Sequence, residues 1–266
     1  MKVAFIGGGN MGEAMLAAVL QKRLAKPEAI TVSDVAEARL NYLGRKYGVE
    51  VTGSNLKAIA GKEVVVLAIK PQNLLEVMAE LKGHLKPSQL VLSIIAGAKI
   101  NTLSRELGHN LIVRAMPNTP AQIGEGISVW TATADVSKKQ KESARAILRA
   151  MGEEIYVDDE SYIDMATAIS GSGPAYFFLM VEALVAAAVD IGLPRDTALV
   201  LVLQTMLGSG HLLQRSGKEP GELRRMVTSP GGTTAEALAQ FEKGKFTELI
   251  KQAVKAAHKR AKELGR

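Results

Sequence analysis

Met1-Lys2-Val3-Ala4-Phe5-Ile6-Gly7-Gly8-Gly9-Asn10-Met11-Gly12 opens the chain and decides its fold. Val3 to Ile6 is a short apolar run with a β-branched residue at each end. Gly7, Gly9 and Gly12 follow at the spacing G-x-G-x-x-G. Glu13 to Leu20 then carries apolar residues at the i, i+3, i+4 spacing of an amphipathic helix. The reading is strand, tight turn, helix. Gly7 permits the turn, Gly9 lets backbone approach a pyrophosphate, and Gly12 lets the helix pack against the strand. Free N–H groups at the helix start, at Asn10 and Met11, then face the bound anion. A glycine-rich turn without a ligand is the alternative for an isolated motif. Context favours a dinucleotide, because a second apolar strand, Ala29 to Val32, ends at Ser33-Asp34, about the distance of a ribose-binding position.

Working outward, strand-like runs alternate with helical ones as far as Leu111 to Ala115, which implies a parallel, doubly wound α/β sheet. Glu63 to Ile69 and Gln89 to Ile95 are nearly continuous apolar runs, as expected of strands buried on both faces. Asp34 with Glu37 reads as a helix cap with a glutamate at its third position. Gly126 to Thr131 and Glu154 to Val157 read as later strands, and beyond Asp158 only helices are expected. The division is therefore residues 1–159, a dinucleotide-binding domain, and residues 160–266, an all-α domain. Two helices starting at Pro174 and Pro194 are apolar on nearly every face and must be buried all round. A second copy of the chain is the economical cover, so a homodimer is expected.

Composition narrows the function. A net charge of +6 raises nucleic acid as a partner, but the cations are dispersed apart from a helical tail at Lys251 to Arg266. A solvated basic helix accounts for that tail. The chain has no cysteine, which excludes disulfides, thiol nucleophiles and thiolate metal sites. His84, His109, His211 and His258 share no ligand spacing, are expected on polar faces, and imply no metal. The opening passes from Lys2 straight into the glycine turn, unlike a signal peptide. Pro174 to Leu203 is interrupted by Glu182, Asp190, Gly192, Pro194 and Arg195, so no piece is expected to reach the roughly 18 apolar residues of a membrane span. The expectation is a cytoplasmic protein with no membrane or nucleic-acid partner.

The carboxyl ends of the strands would converge on the dinucleotide through Gly7 to Met11, Ser33-Asp34, Ala68 to Pro71 (with Lys70), Ala96-Gly97, and Asn118 in the loop after Met116. At the adenosine end Asp34 suits the ribose hydroxyls of NAD, whereas Ser33 and Arg39, with Asn55, suit the 2′-phosphate of NADP. NADP is preferred and NAD possible. A helix cap is the other reading of Asp34, and a solvated helix position that of Arg39. The second half carries two glycine joints, Ser170-Gly171-Ser172-Gly173-Pro174 and Ser229-Pro230-Gly231-Gly232-Thr233-Thr234. A Gly-Gly pair at a helix start makes a nest of N–H groups that takes an anion. Ser229, Thr233 and Thr234 add hydroxyls beside Gly231 and Gly232, although Thr233 also reads as a plain helix N-cap.

At these joints the chain resembles the pyrroline-5-carboxylate reductases. Ser-Gly-Ser-Gly-Pro-Ala-Tyr (Ser170 to Tyr176) and Thr-Ser-Pro-Gly-Gly-Thr-Thr (Thr228 to Thr234) carry the resemblance, together with Ile6 to Gly12, Asn118-Thr119-Pro120, Gly192 to Arg195 and Leu223-Arg224. The resemblance implies reduction of Δ1-pyrroline-5-carboxylate to L-proline, an N-terminal Rossmann domain, and a helical dimerisation domain whose dimers gather into larger rings. It also implies an active site between one subunit's Rossmann domain and its partner's helices. Thr234 matches the family's proposed proton donor, and a threonine, being a poor acid, is expected to orient the imine or relay a proton from water. Two rivals stand beside it: a related imine or β-hydroxyacid dehydrogenase, and a dinucleotide sensor without turnover. The dehydrogenases place a lysine in the first helix of the second domain, and Glu160 to Tyr176 contains none.

Overall fold

The computed structural model describes residues 1–265. The chain packs as two compact units, one of residues 1–172 with 257–265 and the other of Gly173–Ala256.

The first unit alternates strands and helices. They are β1 (Val3–Ile6), α1 (Asn10–Gln21), β2 (Ile30–Ser33), α2 (Glu37–Tyr47), β3 (Glu50–Thr52), α3 (Asn55–Ile59) and β4 (Val64–Leu67). There follow α4 (Leu74–Leu81), β5 (Leu90–Ser93), α5 (Ile100–Leu107), β6 (Ile112–Met116), β7 (Gly126–Ala132), α6 (Lys138–Arg149), β8 (Gly152–Tyr156) and the short α7 (Ser161–Ala166). The strands form one sheet in the order β3-β2-β1-β4-β5-β6-β7-β8. All neighbouring pairs are parallel except β6 with β7. The parallel sheet expected as far as β6 is present, and the later strand β7 joins it antiparallel. The link from Met116 to Gly126 is too short for a parallel crossover, which needs a dozen or more residues.

Side chains of β1 alternate between two cores. Val3 and Phe5 join Met15, Leu16, Val19 and Trp130 in one, while Ala4 and Ile6 join Val65, Met78, Leu81 and Leu103 in the other. Period-two alternation into an apolar layer on each face is what a doubly covered sheet requires. The buried Arg114 on β6 donates to Glu160 at 2.8 Å and to Asp164 at 2.7 Å. Glu160 also accepts the Ile100 N–H at 2.8 Å, so one charge cluster pins α7 and the start of α5 to the sheet. Removing either carboxylate would leave a buried cation short of a partner. His109, expected on a polar face, is buried, with Nε2 2.7 Å from the Gln89 carbonyl oxygen. Residues 257–265 return to this unit: at Gly97 (φ +78°) an added Cβ would lie 2.7 Å from backbone atoms of Leu264.

The second unit is helical: α8 (Gly173–Asp190), α9 (Arg195–Ser216), α10 (Pro220–Met226), α11 (Thr233–Lys243) and α12 (Phe246–Leu264), whose last turns belong to the first unit. The joint Ser170 to Pro174 is no break. A π-helical turn, Thr167–Gly171, links α7 to α8, giving a 30-residue helical stretch from Ser161 to Asp190. That continuity corrects the expectation about span length. By length and composition alone this stretch and Arg195–Ser216 are both apolar enough to cross a membrane, with mean hydropathies of 1.6 and 1.2. Their apolar side chains are largely uncovered within one chain, Phe177 being 64% and Val200 67% exposed.

Candidate active site

A cleft of about 480 Å³ opens at the carboxyl ends of β1, β2 and β4, the switch point of the strand order. Gly7, Gly9, Asn10, Ser33, Asp34, Arg39, Asn55, Ala68 and Lys70 line it. The three glycines differ in what surrounds them. A Cβ on Gly7 (φ +100°) would lie 2.6 Å from the Ala68 carbonyl oxygen, and one on Gly12 would lie 2.2 Å from the Gly7 carbonyl oxygen. Those two are required by the fold. At Gly9 a Cβ would meet nothing within 4 Å. Gly9 is the N-cap of α1 and no side chain caps that helix, so the first N–H groups of α1 are available to an anion beside an open approach. The cradle fits a pyrophosphate.

Asp34 does not cap α2. The helix starts at Glu37 after Ala36, while Asp34 Oδ1 accepts the Ala36 N–H at 2.9 Å and Oδ2 the Gly8 N–H at 2.8 Å. Its carboxylate thus joins the end of β2 to the glycine turn. The Ser33 hydroxyl donates to Asn55 Oδ1 at 2.6 Å, and Asn55 Nδ2 donates to Glu80 at 2.7 Å. Arg39 is no free surface residue. Its Nε donates to the Gly8 carbonyl, its Nη2 pairs with Glu13, and its guanidinium lies 5.0 Å from the Tyr42 ring centroid. Behind Arg39, the Glu13 carboxylate also accepts from Lys46, Tyr42 and Tyr47, a cluster that the amphipathic pattern of α1 does not reveal. Burial pushes the Glu13 carboxyl up, but hydrogen bonds from Lys46, Tyr47 and Arg39 outweigh it and hold the pKa at about 2. Val35 also lines the cleft and is 94% exposed, an apolar side chain placed where a planar base could rest. Its position directly after the Ser33-Asp34 strand end was the signal available in the sequence.

Other expected residues lie outside this cleft. Met11 packs partly buried against the core, and Gly12 serves the helix–strand contact. Pro71 starts a 3-10 turn, Ala96 and Gly97 lie in the loop after β5 with Gly97 against Leu264, and Asn118 Oδ1 accepts the Ile127 N–H at 2.9 Å. A larger hollow of about 720 Å³, near Lys62, Gln89 and Gln140, lies at the opposite, amino-terminal edge of the sheet and holds none of these residues.

In the helical unit, Gly232 N–H donates to the Ser229 carbonyl at 3.0 Å, closing a turn with Gly231 in the left-handed region at φ +68°. A Cβ on Gly232 would lie 2.5 Å from Ser229 Oγ. The N-cap of α11 is Gly232, not Thr233, and no side chain caps the helix. Thr233 is exposed and Thr234 half-buried in the first turn. The turn thus gathers Ser229, Gly231, Gly232, Thr233 and Thr234 around an uncapped helix start, a fit for a small anion.

Residues 160–264 match the family model for pyrroline-5-carboxylate reductase dimerisation. The chain is 42% identical to the pyrroline-5-carboxylate reductase of Pseudomonas aeruginosa over 99% of its own length and 96% of the relative's. The chain belongs to the pyrroline-5-carboxylate reductase family. Residues 2–97 separately match a model described as NADP oxidoreductase, coenzyme F420-dependent. Among solved structures, the reductase of Coxiella burnetii superposes with a TM-score of 0.90 at 39% identity, covering 100% of this chain and 98% of that one. The Plasmodium falciparum reductase, solved with NADP bound, gives 0.92 at 32% identity with the same coverage. Membership in the reductase family removes the general β-hydroxyacid dehydrogenases as the nearest reading.

Proposed function

We propose that this chain reduces Δ1-pyrroline-5-carboxylate to L-proline, the last step of proline synthesis, using NADPH in preference to NADH. The observation that carries the reading is the uncapped Gly231–Gly232 turn at the start of α11, with the Thr234 hydroxyl one residue beyond the first helical position. Its N–H groups suit the substrate carboxylate, and the family relation identifies which carboxylate. The bound nicotinamide supplies a hydride to the imine carbon. The chain's own part is to place the reactants and manage the proton. The Gly9 cradle holds the pyrophosphate, and Ser33, Asp34, Arg39 and Asn55 hold the adenosine ribose. The nest of Ser229, Gly231, Gly232 and Thr233 fixes the carboxylate, and Thr234 hydrogen-bonds the imine nitrogen, orienting it or relaying a proton from water. Such positioning accounts for much of the rate.

NADP preference is supported by the NADP bound to the Plasmodium falciparum relative and by Arg39 at the cleft wall. It is mild, because Asp34 and Glu13 place two carboxylates nearby. A homodimer covers the apolar helices of the second unit, with a ring of dimers as the larger assembly, in the cytoplasm. By role, residues 160–266 make the substrate and dimerisation domain and residues 1–159 the cofactor domain, although residues 160–172 and 257–265 pack with the sheet unit. Loss of NAD(P)H absorbance on adding Δ1-pyrroline-5-carboxylate, with L-proline as product, tests the reading. Cofactor binding without turnover would instead identify a dinucleotide sensor.

A further inference from the structure

We propose that Glu13 sets the degree of preference between NADPH and NADH by damping the positive charge that Arg39 presents to the adenosine 2′-position. The inference rests on the reading of the cleft as a dinucleotide site with its ribose at Ser33-Asp34. Arg39 and Lys70 are the cationic side chains lining the cleft, and Arg39 stands on the β2 side with Ser33, Asp34 and Asn55. Two of the three guanidinium nitrogens of Arg39 are already engaged, Nε by the Gly8 carbonyl and Nη2 by Glu13. Nη1 has no hydrogen-bond partner among the described residues and is the nitrogen left for a ligand. Glu13 is itself shared, since its Oε1 accepts from Tyr47 at 2.8 Å, Lys46 at 2.9 Å and Tyr42 at 3.2 Å.

The carboxylate has two opposing effects on Arg39, and the geometry decides between them. It helps to hold the guanidinium at the cleft wall, which would favour NADPH by preorganisation. It also pairs with the charge that a 2′-phosphate would use. The Gly8 carbonyl and the Tyr42 ring hold Arg39 in place without Glu13, so the charge effect dominates. A 2′-phosphate is a dianion near neutrality, whereas a 2′-hydroxyl is neutral, so a change in local charge acts on NADPH and hardly on NADH. Lys46 opposes Glu13 by taking part of its negative charge. Glu13 is therefore a positioning and charge-setting residue that acts through Arg39 and touches no substrate.

The test measures dissociation constants of NADP⁺ and NAD⁺ by calorimetry for wild type, Glu13→Gln, Arg39→Ala and the double variant, with kcat/KM for both reduced cofactors alongside. Glu13→Gln should shift the affinity ratio toward NADP⁺ by about fivefold, the scale of a partly exposed ion pair. The shift should vanish in the Arg39→Ala background. Lys46→Met, outside the cleft lining, should move the ratio the other way, and it carries the test if Glu13→Gln fails to fold. An unchanged ratio in folded Glu13→Gln, or a gain that persists without Arg39, would overturn the role of Glu13 while leaving the cleft assignment standing. An Arg39→Ala variant with its affinity ratio unchanged would overturn the placement of the 2′-phosphate, and this proposal with it. Unmeasurable binding of both cofactors to wild type would refute the dinucleotide reading itself.

Discussion

Gly9 and Gly12 lie in the same turn, yet substitution should reveal different duties. Gly9→Val puts its side chain into open space, so the protein should fold while dinucleotide affinity falls at least tenfold, about 1.4 kcal/mol. Titration with cofactor beside far-UV circular dichroism checks both halves of that expectation. Gly12→Val drives a Cβ into the Gly7 carbonyl oxygen and should lower the melting temperature before any ligand is added. Glu13 adds a pH dependence. Its pKa falls from 4.5 to about 2 on folding, so its contribution to stability is complete above about pH 4.5 and is lost as pH falls toward 2. Urea titrations across that window should show wild type losing more stability than Glu13→Gln. Equal slopes would mean that the Lys46, Tyr47 and Arg39 contacts do not persist in solution.

The start of α11 separates two adjacent threonines. Thr233 is exposed and does not cap the helix, so Thr233→Ala should leave stability and kcat close to wild type and raise only the substrate KM. Thr234→Ala should lower kcat by the equivalent of roughly 2–4 kcal/mol, by analogy with a lost oxyanion-hole donor, with cofactor affinity unchanged. Steady-state kinetics on the pair decides whether a hydroxyl assists protonation or solvent alone supplies it. Most elements of the fold were legible because burial on both faces writes long apolar runs, as in Val64–Leu67 and Leu90–Ser93. What escaped depended on partners distant in sequence. Asp34 has the residue type and spacing of a helix cap, but the Gly8 N–H, 26 positions away, claims its carboxylate. The Thr167–Gly171 turn differs from an α-helix by its hydrogen-bond register, which leaves no mark in composition. The sequence leaves Arg39 open between a ligand contact and a surface position, and the structure adds a carboxylate partner.

At the scale of the whole chain, the apolar surface of α8 and α9 needs cover. Leu201, 51% exposed within one chain, should lie in that cover. Leu201→Glu should yield monomeric, aggregated or unfolded protein, whereas sedimentation of the variant as a stable dimer would move the interface elsewhere. The need for cover was legible from helices apolar on every face; the cluster at Arg114 that pins α7 to the sheet was not, because its charges are far apart in sequence. The return of residues 257–265 to the sheet unit has a consequence for synthesis. A ribosome completes all eight strands, then the whole of Gly173–Ala256, before making the residues that rest on Gly97. A nascent chain therefore carries the uncovered apolar faces of α8 and α9 while its sheet unit still lacks its last turns. Chaperone capture during translation should be strongest in that interval, after α9 emerges and before the return is made.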